Sequence, residues 1–235
     1  MRFEQKVILV AGGTGGLGRA VSLAFLAEGA EVFVPYRNEP EFASLKSAPG
    51  AFRVFGRSLD VTDETAVRQY IEKIIAERGR LDALVNTVGG YVGGAKAWDL
   101  DPQSLDRMLA LNLRSGWALA RAAAKVMLVQ GSGAIVNVAA KAAVDHAAGA
   151  AAYAASKAAA LALMDSLAAD LKGSGVRVNS ILPSIIDTEA NRRAMPKANF
   201  AKWPRPEEIA RVILFLCSEE SRVIHGAAIP VYGES

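Results

Sequence analysis

Short apolar runs and longer stretches with helical spacing alternate along this chain. Apolar runs bounded by glycine or polar residues predict buried strands. These runs lie at residues 6–11, 31–36, 52–58, within 81–94, and at 134–139, 175–183 and 227–231. Between them, apolar residues recur at helical spacing, which predicts helices over residues 17–28, from 62 or 63 to about 78, and over 102–129, about 153–171 and 205–217.

Strands that alternate with helices are typical of a parallel sheet wrapped by helices, with right-handed crossovers. The pattern therefore predicts an α/β fold: a single-domain, Rossmann-like, doubly wound parallel sheet with helices on both faces. The domain takes in residues 1–235, because no linker, repeat, charge block or low-complexity tail divides them. Residues 184–204 show no clear regular structure and are punctuated by proline, which predicts a substrate lid there.

Composition narrows the classes of protein further. With 51% hydrophobic and 22% charged residues among 235, the chain is able to bury a core. The net charge is +3, but basic and acidic residues are interspersed, which argues against a nucleic-acid partner. The absence of an 18-residue apolar run and of a signal-peptide layout predicts no membrane partner and a cytoplasmic location. The single cysteine, Cys217, and two isolated histidines predict no metal site.

The first predicted strand leads into a glycine-rich turn and then into a helix. Gly12, Gly16 and Gly18 have the spacing Gly-x-x-x-Gly-x-Gly, and Leu17 opens the helical pattern. Glycine allows a sharp turn and a close approach to a pyrophosphate, and the helix N-terminus adds free N–H groups. We therefore predict a dinucleotide site here, with the Thr14 hydroxyl as a further donor. The alternative is a glycine-rich turn that holds no ligand.

The end of the second predicted strand bears on the choice of cofactor. In dinucleotide-binding folds a carboxylate there bonds the ribose 2′-hydroxyl, whereas an arginine accepts a 2′-phosphate. Tyr36, Arg37 and Asn38 stand at this point, with no acid before Glu39, so NADP(H) is the predicted cofactor and NAD(H) a second possibility. The alternative is a solvated Arg37 without a ligand. Asp60, after the third strand, is predicted either to accept a hydrogen bond from an adenine or to fix the turn.

A tyrosine and a lysine four residues apart stand at the head of the alanine-rich helix. Tyr153 and Lys157 share one helical face at this spacing, and an ammonium near a phenol is expected to lower the pKa of the phenol. Such a tyrosine gives or takes a proton while a hydride moves. Asn112 interrupts the apolar face of the helix predicted over residues 102–129, which indicates a buried polar network. A chance spacing of tyrosine and lysine is the alternative.

Together these motifs resemble the short-chain dehydrogenase/reductase family over essentially the whole chain. The resemblance implies that Tyr153 is the proton donor or acceptor, that Lys157 binds the nicotinamide ribose and lowers the Tyr153 pKa, and that Asn112 holds a proton-relaying water. It implies an NAD(P)H-dependent oxidoreductase of a small molecule, in which the cofactor supplies the hydride. The implied cofactor-binding residues are Gly12, Thr14, Gly16, Leu17, Gly18, Arg37, Asp60, Val61, Val88, Gly89, Lys157, Pro183, Ile186 and Thr188.

One position departs from the family pattern. The family usually places a serine thirteen residues before the tyrosine, where it holds the substrate oxygen, and this chain has Ala140. A methyl group donates no hydrogen bond, and the loss of one such donor typically lowers the rate by about two to three orders of magnitude. Three explanations stay open: the enzyme is impaired, Lys141 compensates, or the substrate does not need the serine.

The third explanation has a precedent in the dihydropteridine reductase branch of this family, which also has alanine followed by lysine here. The loop at residues 89–94 and the run at residues 187–203 resemble that branch as well. The resemblance implies hydride transfer to a quinonoid dihydropterin-like substrate, with the substrate residues Ala140, Tyr91, Tyr153 and Met195.

Two other functions stay open on the sequence alone. The first is a carbonyl reductase of the 3-oxoacyl-thioester type that lacks the usual serine. The second is a non-catalytic nucleotide-binding protein. In either case a homodimer or homotetramer is expected, because related proteins associate through the two helices that contain residues 118–124 and 151–169 here.

Overall fold

The computed structural model describes all residues, 1–235, and contains one seven-stranded parallel sheet. Its spatial order is β3-β2-β1-β4-β5-β6-β7. Because the direction of winding reverses between β1 and β4, a crevice opens outside the carboxyl ends of these strands. The predicted doubly wound α/β fold is confirmed. The strands are β1 (Val7–Ala11), β2 (Glu31–Tyr36), β3 (Val54–Ser58), β4 (Ala83–Asn86), β5 (Gly133–Val138), β6 (Val176–Pro183) and β7 (Ala228–Val231).

Eight α-helices connect and flank these strands. None of them is long and apolar enough to cross a lipid bilayer. The sequence pattern predicted most of them, but α2 and α7 were not expected. The helices are α1 (Gly16–Ala27), α2 (Glu39–Lys46), α3 (Glu64–Arg78), α4 (Pro102–Met108), α5 (Ser115–Gln130), α6 (Ala151–Asp170), α7 (Glu189–Ala194) and α8 (Pro206–Cys217).

Each face of the sheet carries its own apolar core, because successive side chains of a strand point to opposite faces. Ile8 and Val10 of β1 pack in one core together with Phe25 of α1 and Ile213 of α8. Leu9 faces the other way, into a core shared with α3, α5 and α6. The two cores hold the sheet rigid, so the loops at its carboxyl edge are carried on a fixed frame.

The third strand and the helix over residues 102–129 are among the predicted elements whose boundaries differ from the structure. The third strand begins at Val54 rather than at residue 52, because a 3-10 turn over Ala51–Arg53 precedes it. The helix predicted as one element over residues 102–129 is divided into α4, a π-helical segment at Leu109–Arg114, and α5. Such π-helical turns inside longer helices occur frequently at functional sites.

The segment predicted as irregular contains regular structure. Residues 184–204 include α7 and a 3-10 turn at Phe200–Lys202, so the prediction of an irregular segment is wrong. Thr188 caps α7 because its hydroxyl accepts a hydrogen bond from the Asn191 N–H at 3.2 Å. Pro196 follows soon after the helix and cannot continue it. Short helices of this kind are set by caps, which a search for apolar periodicity does not find.

Candidate active site

An open cleft of about 440 Å³ lies at the carboxyl edge of the sheet, where the winding reverses. Its walls are the glycine turn after β1, the ends of β2 and β3, and the segment after β4. Its size and position suit the adenosine half of a dinucleotide. The cleft is lined by seven of the residues predicted to bind the cofactor: Gly12, Thr14, Arg37, Asp60, Val61, Val88 and Gly89.

The glycine turn is shaped so that side chains are excluded. Gly12 has a φ of +76°, and a Cβ on Gly18 would lie 2.0 Å from the Gly12 carbonyl oxygen. A Cβ on Gly16 would lie 2.9 Å from Cγ2 of Thr188, so the segment after β6 rests directly on the turn. Gly15 precedes α1 and offers no side-chain cap. The first-turn N–H groups are therefore free for an anion such as a pyrophosphate.

Seven predicted cofactor residues do not line this cleft, and three of them, Leu17, Pro183 and Ile186, are engaged elsewhere in the fold. The Leu17 side chain is buried in the core between α1 and the sheet, so it packs rather than faces a ligand. Pro183 ends β6 and pairs in register with Val231 of β7. The Ile186 carbonyl already accepts hydrogen bonds from within its own segment. Any contact of Leu17 with a cofactor would therefore be made by its backbone. Any contact of the Ile186 backbone would be made by atoms other than its carbonyl oxygen.

Arg37 and Asp60 face each other at the outer end of the cleft. The guanidinium Nη1 lies 3.7 Å from Asp60 Oδ2, and both side chains are exposed. Asp60 Oδ1 accepts hydrogen bonds from the Thr62 N–H and hydroxyl at 2.9 and 2.8 Å. The Thr62 N–H contributes most to holding the pKa of Asp60 below its usual range. Of the two roles predicted for Asp60, these hydrogen bonds support the one in which Asp60 fixes the turn.

A carboxylate that the sequence analysis missed also faces the cleft. Glu41, in the first turn of α2, accepts a hydrogen bond from the Thr14 hydroxyl at 3.0 Å. Thr14 was predicted to donate to a cofactor, and here it donates to a side chain of the protein. The two residues are 27 positions apart, and α2 was not expected, so no local signal indicated this contact.

Lys157 lies at the inner end of the site, with only 5% of its surface exposed. Its ammonium donates to the Val138 carbonyl at 2.9 Å. Burial lowers the pKa of Lys157 to about 8, because a charge without a counter-ion is costly away from water. A Cβ on Gly89 would lie 3.0 Å from both the Lys157 Nζ and the Asn112 Oδ1. The cleft, the ammonium and the Asn112 amide therefore converge on Gly89.

Asn112 is held in a buried hydrogen-bond network, as the interruption of its apolar helix face predicted. It lies in the π-helical segment and exchanges two hydrogen bonds with the backbone of Gly90, at 2.9 and 3.1 Å. Its amide also donates to the Ser156 hydroxyl at 2.9 Å, and Ser156 donates to the Tyr153 carbonyl at 2.8 Å. Ser156 was not predicted. Its only sequence signal is a hydroxyl among alanines on the helix of Tyr153 and Lys157.

Tyr153 is partly buried and lies against Tyr91. The two rings meet edge to face with centroids 5.1 Å apart. Burial, and after it Tyr91, raises the pKa of Tyr153 to about 12. This direction is opposite to the predicted lowering by Lys157, because the ammonium of Lys157 is turned to the Val138 carbonyl. In the protein alone, Tyr153 is therefore a neutral phenol at physiological pH.

The position of the family serine is apolar in the structure as well. The Ala140 side chain is buried and offers no donor. The neighbouring Lys141 ammonium lies 3.8 Å from Asp145 Oδ2 and 5.1 Å from the centroid of the Tyr232 ring. These contacts engage Lys141 elsewhere and give no support to it as a replacement for the serine. The last predicted substrate residue, Met195, is partly buried and follows α7 directly.

Comparison with known proteins identifies the family. The sequence model of the short chain dehydrogenase family matches residues 6–199 of this chain. The chain belongs to the short-chain dehydrogenase family. A D-threitol dehydrogenase of Mycolicibacterium smegmatis is 36% identical, over 99% of this chain and 93% of that protein. A 3-oxoacyl-acyl-carrier-protein reductase, FabG, of Thermotoga maritima is 32% identical, over 99% and 98%. A solved structure of ElxO with NADP bound has a TM-score of 0.91 at 25% identity, over 97% of each chain.

Membership in this family makes the chain an NAD(P)-dependent oxidoreductase, as the motifs predicted. The comparisons do not bear out the finer resemblance, to the dihydropteridine reductase branch. The named relatives are dehydrogenases and reductases of alcohols and carbonyl compounds, and they lend no support to the dihydropteridine reductase branch or to a dihydropterin substrate. The substrate therefore has to be argued from the site itself.

Proposed function

We propose that this short-chain dehydrogenase is an NADPH-preferring reductase whose acceptor is a conjugated ring system, with a quinonoid dihydropterin as the test substrate. The observation that carries the proposal is Ala140, which removes one of two hydrogen-bond donors from the site. A ketone that becomes an alkoxide needs both donors. A conjugated acceptor spreads the developing charge over the ring and depends less on the missing one.

The residues of the cleft fit a nicotinamide dinucleotide. The free N–H groups at the start of α1 suit the pyrophosphate, and the Arg37 guanidinium suits a 2′-phosphate. The binding of NADP by the structurally similar ElxO supports this choice of cofactor. Lys157 is proposed to hold the nicotinamide ribose, and Thr188 and the Ile186 backbone the carboxamide. When bound, the cofactor supplies the hydride.

The acid–base groups favour reduction. With a pKa of about 12, the Tyr153 phenol holds its proton at neutral pH and is able to donate it to the reduced substrate. Lys157, with a pKa of about 8, exchanges protons close to neutral pH. Asn112 donates to Ser156, and Ser156 donates to the Tyr153 backbone carbonyl, while the Lys157 ammonium and the Asn112 Oδ1 both lie beside Gly89. We propose that Lys157 restores the proton that Tyr153 gives up.

A planar acceptor also suits the surroundings of Tyr153. Tyr91 is 66% exposed and lies edge to face against the Tyr153 ring, so one face of an aromatic wall is open to a ligand. Aromatic rings at such distances gain about 0.5–1.5 kcal/mol beyond simple burial. We propose that the substrate ring lies beside Tyr91, with residues 184–204, including Met195, as a lid.

The second candidate is a carbonyl reductase of the 3-oxoacyl-thioester type. The two relatives named above favour it, because one is a dehydrogenase of an alcohol and the other a reductase of a 3-oxoacyl thioester. A non-catalytic nucleotide-binding protein is the third candidate. The presence of Tyr153, Lys157 and Asn112 in one site argues against it, because nucleotide binding alone does not need all three side chains.

The deciding experiment measures NADPH and NADH oxidation with a quinonoid dihydropterin and with a panel of ketones and 3-oxoacyl thioesters. Ala140→Ser restores the family donor, and Ala142→Ser in the same turn is the matched control. We expect the wild-type protein to reduce the dihydropterin. Of the two variants, we expect only Ala140→Ser to gain in its rate on ketones, by about 10²-fold or more. Wild-type turnover of ketones with no gain in Ala140→Ser would support the second candidate. Nucleotide binding without any turnover would support the third.

Three features remain predictions: the oligomeric state, the location in the cell and the class of substrate. A homodimer or homotetramer built on α5 and α6 is expected, and Leu128 and Val129 at the end of α5 are exposed apolar residues that would be covered in it. Light scattering after gel filtration measures the number of subunits. A cytoplasmic location and a small-molecule substrate complete the prediction, and the first is checked by cell fractionation.

A further inference from the structure

We propose that Glu41 limits the preference of this protein for NADPH over NADH, because its carboxylate lies beside the place where a 2′-phosphate would bind. The proposal rests on the proposed function, since it concerns the same cofactor cleft. It assigns a specificity role to a residue of α2 rather than to the end of β2, where Arg37 stands. The role is exerted through charge.

Both oxygens of the Glu41 carboxylate are fixed by hydrogen bonds. Oε2 accepts from the Thr14 hydroxyl at 3.0 Å, and Oε1 accepts from the Asn38 amide at 3.1 Å. Thr14 belongs to the glycine turn, whereas Asn38 and Glu41 belong to the start of α2. The carboxylate therefore bridges the two sides of the cleft that Arg37 also lines. A phosphate bound between Arg37 and Thr14 would lie next to this negative charge.

The balance of charge at this end of the cleft is negative. Arg37 is the cation that the cleft offers, and two carboxylates, Asp60 and Glu41, line the cleft with it. A 2′-phosphate brings about two further negative charges at neutral pH. A ribose 2′-hydroxyl brings none, and it is able to donate a hydrogen bond to a carboxylate. The same side chain thus repels one cofactor and tolerates the other.

Capping of α2 explains part of this geometry but not all of it. The Asn38 side chain accepts from the Glu41 N–H at 3.2 Å, and this bond caps the helix. The bond from Thr14 to Oε2 adds nothing to the cap and reaches across the cleft. Glutamine at this position keeps the backbone cap and the shape of the side chain but removes the charge. Glu41→Gln therefore separates the two roles.

Coulomb's law sets the size of the effect. For unit charges about 6 Å apart at an effective dielectric constant of about 60, the repulsion corresponds to a change of about fivefold in affinity. The double charge of the phosphate raises this figure and salt lowers it. We expect the affinity for NADPH to rise about 3- to 20-fold in Glu41→Gln, and the affinity for NADH to change less than about twofold.

The experiment titrates NADPH and NADH, separately, into the wild-type protein and its variants, and follows the fluorescence of the bound nicotinamide. Glu39→Gln is the matched control, because it removes the same charge from the same helix but does not line the cleft. Thermal melting of each variant without nucleotide checks that the fold is intact. A gain for NADPH in Glu41→Gln, absent in Glu39→Gln and smaller at about 0.5 M than at about 0.1 M salt, supports the proposal.

Four results would overturn it. An equal gain for NADPH and NADH would show that Glu41 acts on the shared pyrophosphate and not on the 2′ position. A loss of affinity for NADPH would show that the carboxylate supports the site. If the folded wild-type protein binds neither nucleotide, the proposed function fails and this inference fails with it. If the wild type binds NADPH tightly and Glu41→Gln has the same affinities as the wild type, only this inference fails.

Discussion

Replacing Lys157 by methionine should make the nucleotide-free protein more stable at neutral pH while it abolishes turnover. Lys157 is buried, its ammonium donates one hydrogen bond, to the Val138 carbonyl, and it takes part in no ion pair. Burial lowers its pKa from 10.5 to about 8. At about 1.4 kcal/mol per pKa unit, this shift corresponds to an unfavourable free energy on the order of 3 kcal/mol for the charged form.

The sign follows from the protons bound in each state. Between about pH 8 and 10.5 an unfolded lysine keeps its proton and the folded Lys157 has released it, so the stability of the wild type rises with pH in this window. Methionine does not titrate. The advantage of Lys157→Met should therefore be largest below pH 8, at about 1–2 kcal/mol after the lost hydrogen bond is subtracted. By pH 10.5 it should have fallen by on the order of 3 kcal/mol.

Urea unfolding at a series of pH values from about 7 to 10 measures this difference. Lys125→Met on α5 is the control, because Lys125 is exposed and its removal should shift stability by little at any pH. The difference in the free energy of unfolding between wild type and variant removes the contributions of the other titrating groups. A stability difference that does not change with pH would refute the reasoning, since it would mean that Lys157 titrates at the same pKa in both states. The role of Lys157 in returning protons would then lose its basis.

Three further substitutions test other parts of the site and the core. Tyr153→Phe should lower turnover by at least about 10²-fold while the Kd for NADPH, measured by fluorescence, stays within about twofold; turnover like that of the wild type would contradict its role as proton donor. Gly18→Ala places a Cβ 2.0 Å from the Gly12 carbonyl oxygen, so nucleotide affinity and melting temperature should both fall, and unchanged values would mean that the turn relaxes freely. Phe25→Ala removes a fully buried ring that meets Phe3 edge to face at 4.8 Å, so urea unfolding should show a loss of about 3–5 kcal/mol; a loss below about 1 kcal/mol would show that the core refills the space.

The sequence alone determined the features that depend on neighbours along the chain. Apolar periodicity placed β2 at Glu31–Tyr36, as the structure has it, and α1 within a residue of its bounds. The glycine turn was predicted because positive φ at Gly12 and the close backbone approach at Gly18 are requirements that only glycine meets. The order of strands and helices then left a doubly wound parallel sheet as the natural fold.

Predictions that involved caps were less complete. Asp63 caps α3 and Asp101 caps α4, because both side chains accept hydrogen bonds from first-turn N–H groups, and the helices predicted to start there begin close to these residues. The helices α2 and α7 are short and are set mainly by Asn38 and Thr188, whose side chains carry no periodic signal. Residues 184–204 were therefore predicted as irregular although they contain a helix.

Only the tertiary structure decided the electrostatics of the site. The sequence placed Tyr153 and Lys157 on one helical face, but the direction of the Tyr153 pKa depends on its burial and on the Val138 carbonyl that takes the lysine's ammonium. The bond from Thr14 to Glu41 likewise joins residues 27 positions apart. Solvation and charge depend on distances through space, and a linear pattern carries no record of which distant groups the folded chain brings within hydrogen-bonding range.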